Sequence, residues 1–438
     1  MKKVAMVSLG CSKNLVDAEE MLGLMKNKGF EIVENEEEAD VIIVNTCAFI
    51  DAAKQESIDC ILEMAEYKKS DANKTIVVTG CLAQRFKDEV LKELPEVDII
   101  VGTNDFASIA EILSEKSSQK SFCSDEESYC EPYPRMVTTP PYTAFLKIAE
   151  GCDNRCTYCV IPYIRGKYRS RKEEDILKEA KQLAKGGVRE LIVIAQDTTR
   201  YGMDLFGESR LAELLEKLCR IEGIKWVRVH YCYPELVDDK LINVMKNEEK
   251  ICNYMDIPIQ HCNDEILKRM GRRTNKKQIT DLMEKLRREI PDIIIRTSLI
   301  AGFPGETEEQ AEELRDFVSE MNFDRLGIFA YSREEGTPAA KMDGQIDEEE
   351  KLLRKETIMV EQAAVSEELN KKKVGKTYEV LTEGYDSAIK MYYGRSYADS
   401  LEVDGKVFFK SPEKVSEGEF VRVLIESAEE YDLFGKKA

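Results

Sequence analysis

The chain of 438 residues is 43% hydrophobic and 34% charged and carries a formal charge of −20, the balance of a protein that folds into two or three domains. That acidity argues against an affinity built on neutralising many phosphates, which needs clustered Lys and Arg; it suits a basic protein partner or serves solubility alone. No apolar run approaches the roughly 20 residues that cross a bilayer, and thirteen cysteines, an odd number without a convincing export signal, point to a reducing, cytoplasmic setting and to metal or redox use.

The first apolar run, residues 4–9, follows Lys2-Lys3 and precedes Cys11 in the outline of a lipoprotein signal. Its apolar span is at the lower limit for one, and it reads as a strand. Helix and strand signals then alternate: helix 16–28, strand 41–44, helix 52–67, strand 75–78, helix 83–94, strand 97–101 and helix 106–113. The alternation predicts an α/β domain over 1–113 with an open parallel sheet. Cys11, Cys47 and Cys81 each follow one of its strands, and in a parallel sheet all three loops open on the carboxyl edge, where such folds bind ligands. One cysteine after a strand is commonly a small buried hydrophobe; three in register predict a metal centre.

Residues 114–141 are polar and irregular, with Ser117-Ser118, Asp125-Glu126-Glu127 and Pro132, Pro134, Pro140 and Pro141, and read as a linker. Cys123 and Cys130 within it read as unliganded thiols. Beyond it, strands are predicted near 143–149, 191–195, 226–231, 255–259, 293–300 and 325–331 with helical patterns between them. This is a partial (β/α)6 barrel rather than a full eight, in a domain over 142–370. The run Gly151-Cys152-Asp153-Asn154-Arg155-Cys156-Thr157-Tyr158-Cys159 falls in the loop after the first barrel strand, on the face where barrels carry active sites. Its C-x3-C-x2-C spacing supplies three thiolates. A structural zinc takes four protein ligands, whereas a 4Fe-4S cubane on three thiolates keeps one iron open to a small molecule. An open iron implies chemistry at the cluster.

Gln196, Gln260 and Arg296 fall at or near strand ends, where they either line the barrel mouth or satisfy strand-end polar groups. His230 and His261 also follow strands but lack the partners of a metal site. The run Ile300-Ala301-Gly302-Phe303-Pro304-Gly305-Glu306 either lets backbone approach a nucleoside or is a turn alone. Arg272-Arg273 with Lys276-Lys277 reads as a solvated helix face, and Cys60, Cys219, Cys232, Cys252 and Cys262 as packing thiols. A polar helix over 347–373 leads to β runs at 377–381, 387–393, 407–410 and 420–425, which predict a small antiparallel β-barrel over 371–438. With 12 Lys plus Arg against 13 Asp plus Glu, that barrel lacks the basic surface of a nucleic-acid grip, and direct nucleic-acid binding is not favoured.

C-x3-C-x2-C with an aromatic before the third cysteine, here Tyr158, resembles the signature of radical S-adenosylmethionine enzymes. With the three-cysteine domain before it and the β-rich domain after it, essentially the whole chain resembles the methylthiotransferases among them. Ser8-Leu9-Gly10-Cys11-Ser12-Lys13-Asn14, Ala195-Gln196-Asp197-Thr198-Thr199-Arg200-Tyr201-Gly202, Tyr331-Ser332-Arg333-Glu334-Glu335-Gly336-Thr337 and Gly394-Arg395-Ser396-Tyr397-Ala398-Asp399 are similar to the branch that modifies a ribosomal protein. The tRNA-modifying branch differs around the first cysteine and has a more basic last domain.

The resemblance implies a TRAM-like, OB-like last domain and two 4Fe-4S clusters, one on Cys152, Cys156 and Cys159 and an auxiliary one on Cys11, Cys47 and Cys81. It implies S-adenosylmethionine as cofactor, with Tyr158 near the adenine, Gly302 near the nucleoside, and Gln196, Gln260 and Arg296 at the mouth that receives it. The implied substrate is an aspartate of small-subunit ribosomal protein S-twelve, free or in the small ribosomal subunit, methylthiolated at its β-carbon. The implied electron donor is a flavodoxin or a ferredoxin. On this reading the first cluster reduces S-adenosylmethionine to a 5'-deoxyadenosyl radical that removes the substrate hydrogen, and the auxiliary cluster carries the sulfur. A tRNA methylthiotransferase acting on an adenosine, a non-catalytic iron-sulfur carrier and a zinc-stabilised adaptor are the alternative readings.

Overall fold

Parallel strands covered by helices on both faces read as unbroken apolar runs. Val41–Thr46, buried at every residue, is such a strand, third in a six-stranded N-terminal sheet. The computed structural model describes residues 1–115, 119–125 and 132–438; Ser117, Ser118, Glu126, Glu127 and Cys130 lie outside the described residues. The sheet is parallel, in the spatial order Glu31–Ile32, Lys3–Ser8, Val41–Thr46, Thr75–Gly80, Ile99–Val101, Ser121–Phe122. The run with a lipoprotein outline is therefore a strand. The two-residue edge strands escape sequence reading, and Ser121–Phe122 belongs to the sheet although it lies in the stretch read as a linker. The helical pattern over 83–94 is interrupted at Phe86 (φ −126°, ψ 34°), giving Cys81–Arg85 and Lys87–Glu93 and packing Phe86 against the core.

In the central domain Thr143–Lys147, Glu190–Ile194, Trp226–Val229, Ile251–Asp256, Ile294–Ala301 and Arg325–Ala330 stand side by side in chain order, all parallel. They form an open six-stranded arc. Leu191 and Val193 face the large core under the helices, while Ile192 and Ile194 face the inside of the arc, the alternation of a strand with two apolar faces. The fourth strand lies upstream of the expected 255–259. Buried Cys252 and Tyr254 extend it toward Ile251, and Pro258 has no N–H to continue the pairing. The arc is filled from both neighbouring domains: Val16, from the helix Ser12–Asn27, and Leu401, from the C-terminal domain, pack on Phe145, Ile192 and Ile194.

The C-terminal segment closes into a five-stranded barrel in the order Thr377–Asp386, Met391–Ser396, Val407–Lys410, Leu433–Lys437, Phe420–Ala428. The run expected as a strand at 387–393 begins as a turn: Asp386 Oδ1 accepts from the Ala388 N–H (2.8 Å) and the Ile389 N–H (3.3 Å), an Asx turn that reverses the chain before Met391. Leu433–Lys437 is a strand the sequence reading missed. It runs antiparallel to Phe420–Ala428 and parallel to Val407–Lys410, so the barrel is mixed rather than wholly antiparallel.

This barrel docks against the amino ends of the central strands through buried charge. The Glu190 carboxylate accepts from Arg228 Nε (3.0 Å), Arg395 Nη2 (2.7 Å) and Thr143 Oγ1 (3.1 Å). Burial alone would raise its pKa, but Arg395 and Arg228 hold it down at about 2. His230 Nε2 lies 2.8 Å from Ser400 Oγ, and burial pushes its pKa down to about 3, so the imidazole is neutral. Among the described residues no helix is long and apolar enough to cross a membrane.

Candidate functional site

Cys152, Cys156 and Cys159 lie in the loop that follows the first barrel strand. The loop is pinned at its base by pairing of Ala149–Glu150 with Arg169–Ser170 and by the Cys152 N–H donating to the Gly166 carbonyl (3.1 Å). The Cys159 N–H donates to the Cys156 carbonyl (3.0 Å). The three thiols line one cavity of about 400 Å³ together with Arg155, Tyr163, Lys167 and Pro338, a size typical of small-molecule sites. Burial pushes the Cys152 thiol up to about 12 and raises Cys159 further still. Bare, these groups hold their protons; metal binding would displace them.

N–H groups already point at the sulfurs. The Ile161 N–H donates to Cys159 Sγ (3.5 Å) and Arg272 Nη1 to Cys156 Sγ (3.8 Å). Among the described residues no three His, Cys, Asp or Glu side chains are arranged around the position of a single metal ion. A cubane, whose thiolates sit on different irons, needs a wider triangle. Soft sulfur donors, N–H groups directed at them and a cavity of this volume fit a 4Fe-4S cluster with a small cofactor beside it.

The second triplet forms at the carboxyl edge of three adjacent strands. Cys11 precedes the helix Ser12–Asn27, Cys47 follows Val41–Thr46, and Cys81 opens the helix Cys81–Arg85. Two glycines bring the loops together. Gly10 has φ +87°, and a Cβ there would lie 2.8 Å from Cys47 Cβ; Gly80 has φ +89°, and a Cβ there would lie 2.5 Å from the Thr46 carbonyl oxygen. Asn45 Nδ2 donates to Ser8 Oγ (3.2 Å) and to the Asn14 carbonyl (2.8 Å), which ties the strand ends together. Cys11 is exposed and Cys47 and Cys81 are buried. Burial pushes the Cys81 thiol up to about 12 and raises that of Cys47.

Arg165 reaches from the barrel loop to the second triplet. It lies six positions beyond Cys159, is 3% exposed, and its Nη2 donates to Cys81 Sγ (3.6 Å) and Asn14 Oδ1 (3.2 Å). Its Nη1 pairs with Asp17 and with Glu150 (3.2 Å). Val160 and Ile164, on the same short segment, are part of the N-terminal domain's core. A second tie joins the domains: Glu334, 2% exposed, pairs with Arg85 (2.6 Å) and Lys54 (3.0 Å). The segment that carries one triplet is thus built into the domain that carries the other.

The remaining predicted residues stand outside the lining of the thiol cavity. Tyr158 is packed against Ile266, Met270 and Phe303, with the Cys156 thiol and the Arg272 guanidinium beside it. Gln196 Nε2 donates to Glu150 Oε1 (2.7 Å), while its Oε1 is buried without a protein partner. Gln260, at φ +73°, pairs with Leu299 through its backbone. Arg296 is engaged by Asp256 (2.9 Å) and Asp404 (3.7 Å), a strand-end and interdomain role. The Gly302 amide is taken by the Glu306 carboxylate (3.0 Å), and a Cβ there would meet the Lys351 side chain at 2.4 Å. Its glycine is explained by packing against the helix Glu348–Lys371.

The basic cluster is not one solvated face. Arg273 is exposed, but Arg272 is buried, stacked 4.4 Å over the Tyr233 ring and directed at Cys156. Sequence reasoning also missed Arg165 and Glu150. Glu150, directly before Gly151, is buried, yet Arg165 and Lys147 hold its carboxyl at about 2; an acid at the end of the strand that leads into the cysteine run is the signal that could have found it.

Three family models match the chain: Uncharacterized protein family UPF0004 over residues 3–102, Radical SAM superfamily over 146–318 and TRAM domain over 374–437. Among curated proteins the chain is 55% identical to the ribosomal protein uS12 methylthiotransferase RimO of Clostridioides difficile (strain 630), over 99% of this chain and 98% of that one. It is 52% identical to RimO of Lachnoclostridium phytofermentans, over 99% of each. Among solved structures it resembles the radical S-adenosylmethionine methyltransferase TsrM of Kitasatospora setae with cobalamin and a [4Fe-4S] cluster bound, at TM-score 0.58 and 14% identity over 77% of this chain and 74% of that one. It also resembles the cobalamin-dependent enzyme OxsB, at TM-score 0.53 and 13% identity over 82% and 56%. At those identities the likeness is one of fold.

Proposed function

We propose, from the fact that this chain belongs to the RimO family of ribosomal protein uS12 methylthiotransferases, that it replaces a hydrogen on the β-carbon of a uS12 aspartate with a methylthio group. The chain is a transferase of the radical S-adenosylmethionine superfamily. The observation that carries this reading is that Arg165, on the segment that follows Cys159, donates to Cys81 Sγ, so the loop bearing one set of three thiols is built against the domain bearing the other. Cys152, Cys156 and Cys159 would hold one 4Fe-4S cluster, and Cys11, Cys47 and Cys81 a second. When bound, the first with S-adenosylmethionine supplies one-electron reductive cleavage and the second supplies sulfur.

The chain's own groups serve that chemistry by charge and exclusion. Arg272 and the Ile161 N–H direct positive charge at the sulfurs of the barrel loop, and Arg165 does so for Cys81. Hydrogen bonds to sulfur are one of the levers by which a protein sets a cluster's potential. Val16 and Leu401 fill the arc from the flanking domains, which keeps water from the space behind the mouth.

Anaerobic iron and sulfide quantification should give two cubanes, about eight iron atoms per chain. Turnover with small ribosomal subunits, S-adenosylmethionine and a reductant should add a methylthio group to uS12, read by mass spectrometry. A deletion strain should lose the mass from uS12 and keep it on tRNA. Loss from tRNA alone, or zinc in place of iron, would overturn the proposal.

A further inference from the structure

Lys13 lies two residues after Cys11, in the first turn of the helix Ser12–Asn27, and is only 8% exposed. Its ammonium sits 3.3 Å from the centroid of the Tyr231 ring. The other buried cations among the described residues have oxygen partners. Lys147 has Asp17, Arg228 has Glu190, Arg325 has Asp399, Arg272 has the Pro258 carbonyl, and Lys74 has the carbonyls of Glu37 and Ala39. Among the described residues Lys13 forms no ion pair with a carboxylate and no hydrogen bond to a carbonyl; its contact is Tyr231, with the Cys11 thiol also nearby. The neighbouring Asp256 carboxylate is already engaged by Arg296 (2.9 Å) and by the Tyr231 N–H (3.1 Å).

A cation-ring contact returns only a small part of what an ammonium loses on leaving water. A site that keeps one in this state is built to receive an anion. Tyr231 adds a second, independent observation. It holds φ +59°, a conformation that bulky side chains seldom adopt and that clusters at functional sites. It follows the third barrel strand on the carboxyl side, the face on which barrels do chemistry. Lys13 arrives there from the domain that carries Cys11, so the ammonium lies where the two thiol-bearing domains face each other.

We propose that Lys13 receives the side-chain carboxylate of the substrate aspartate and thereby fixes the adjacent β-carbon in the space between the two thiol sites. The inference rests on the function proposed above and deepens it by naming the group that recognises the substrate. One ammonium without accompanying N–H donors suits a monocarboxylate, whereas phosphate sites gather several donors. A charge pair made out of water should discriminate against the neutral amide isostere by about 10- to 100-fold.

The test uses full-length protein reconstituted anaerobically, with iron content measured, and two uS12 peptides, one with the target aspartate and one with asparagine in its place. Wild type is expected to bind the aspartate peptide about 10- to 100-fold more tightly. Lys13→Met should abolish that preference by weakening the aspartate peptide alone, and Lys13→Arg should restore part of it. Equal wild-type affinity for the two peptides overturns the proposal even if Lys13→Met fails to retain iron. Equal weakening of both peptides by Lys13→Met overturns it too, as does weakened binding of S-adenosylmethionine in place of peptide, which would assign the ammonium to the cofactor's carboxylate. If wild type binds neither peptide, this inference falls, and turnover on small ribosomal subunits decides the proposed function separately; peptide binding that is indifferent to residue 13 overturns this inference alone.

Discussion

Replacing Glu190 by Gln removes one charge from a place where two guanidinium groups depend on it. Arg228 is 0% exposed and Arg395 2%, and both donate to this carboxylate. Among the described residues Arg228 is then left with no carboxylate, with the carbonyls of Tyr397 and Ser396 beside the new amide oxygen, and Arg395 keeps Glu383 as its carboxylate partner. Breaking a buried pair from one side costs about 3–5 kcal/mol because the remaining charge stays buried. The loss falls on the seam between the C-terminal barrel and the central strands, since Thr143 and Arg228 belong to one and Arg395 to the other. The barrel should therefore undock more readily while keeping its own fold. Native-state hydrogen exchange reads this directly: the amides of Ala398, Asp399 and Ser400, buried in the seam, should speed up by about a hundred- to several-thousand-fold where they exchange through undocking. The double variant Glu190→Gln with Arg395→Met should recover much of the loss, because one of the stranded charges is gone. A rate change below about tenfold, or simple addition of the two single effects, would refute the reasoning.

Cys47→Ala should keep cleavage of S-adenosylmethionine, hold about half the iron and make no methylthio product, read by iron assay, nucleoside chromatography and mass spectrometry of uS12. Gly80→Ala must accommodate φ +89° and a Cβ 2.5 Å from the Thr46 carbonyl; a loss of about 1–3 kcal/mol in urea unfolding should come with depleted iron. His230 has its folded pKa lowered from 6.5 to about 3 by burial, so the folded state binds fewer protons there than the unfolded one. Its stability contribution is present above pH 6.5 and is lost as pH falls toward 3. Between pH 7.5 and 5 wild type should lose about 2 kcal/mol that His230→Gln does not, measured as the change in the stability difference between the two proteins.

What the sequence revealed depended on how far apart the decisive residues lie. C-x3-C-x2-C is a local pattern, and the structure gathers those three thiols on one cavity. Cys11, Cys47 and Cys81 were legible because parallel strands share one carboxyl edge, so strand ends converge whatever the separation. Arg272 looked solvated because its partners Tyr233 and Cys156 lie 39 and 116 positions away. Arg165 escaped notice because only packing against the first domain reveals its contact with Cys81. The turn after Asp386 was misread since its residues have strand-like composition and the Asx hydrogen bonds override them. Leu433–Lys437 was missed because a closing strand is defined by the neighbours it joins. Gly302 invited a ligand reading that the Glu306 carboxylate and Lys351 answer more simply.

Val160 and Ile164 complete the hydrophobic interior of a domain whose own strands end near residue 122. During synthesis the first domain leaves the ribosome with that interior unfinished, and its three thiols wait without the guanidinium that will later stand beside Cys81. The nascent sheet reaches its final form only after the cysteine loop of the next domain has been made, so completion of the earlier thiol site is tied to emergence of the later one.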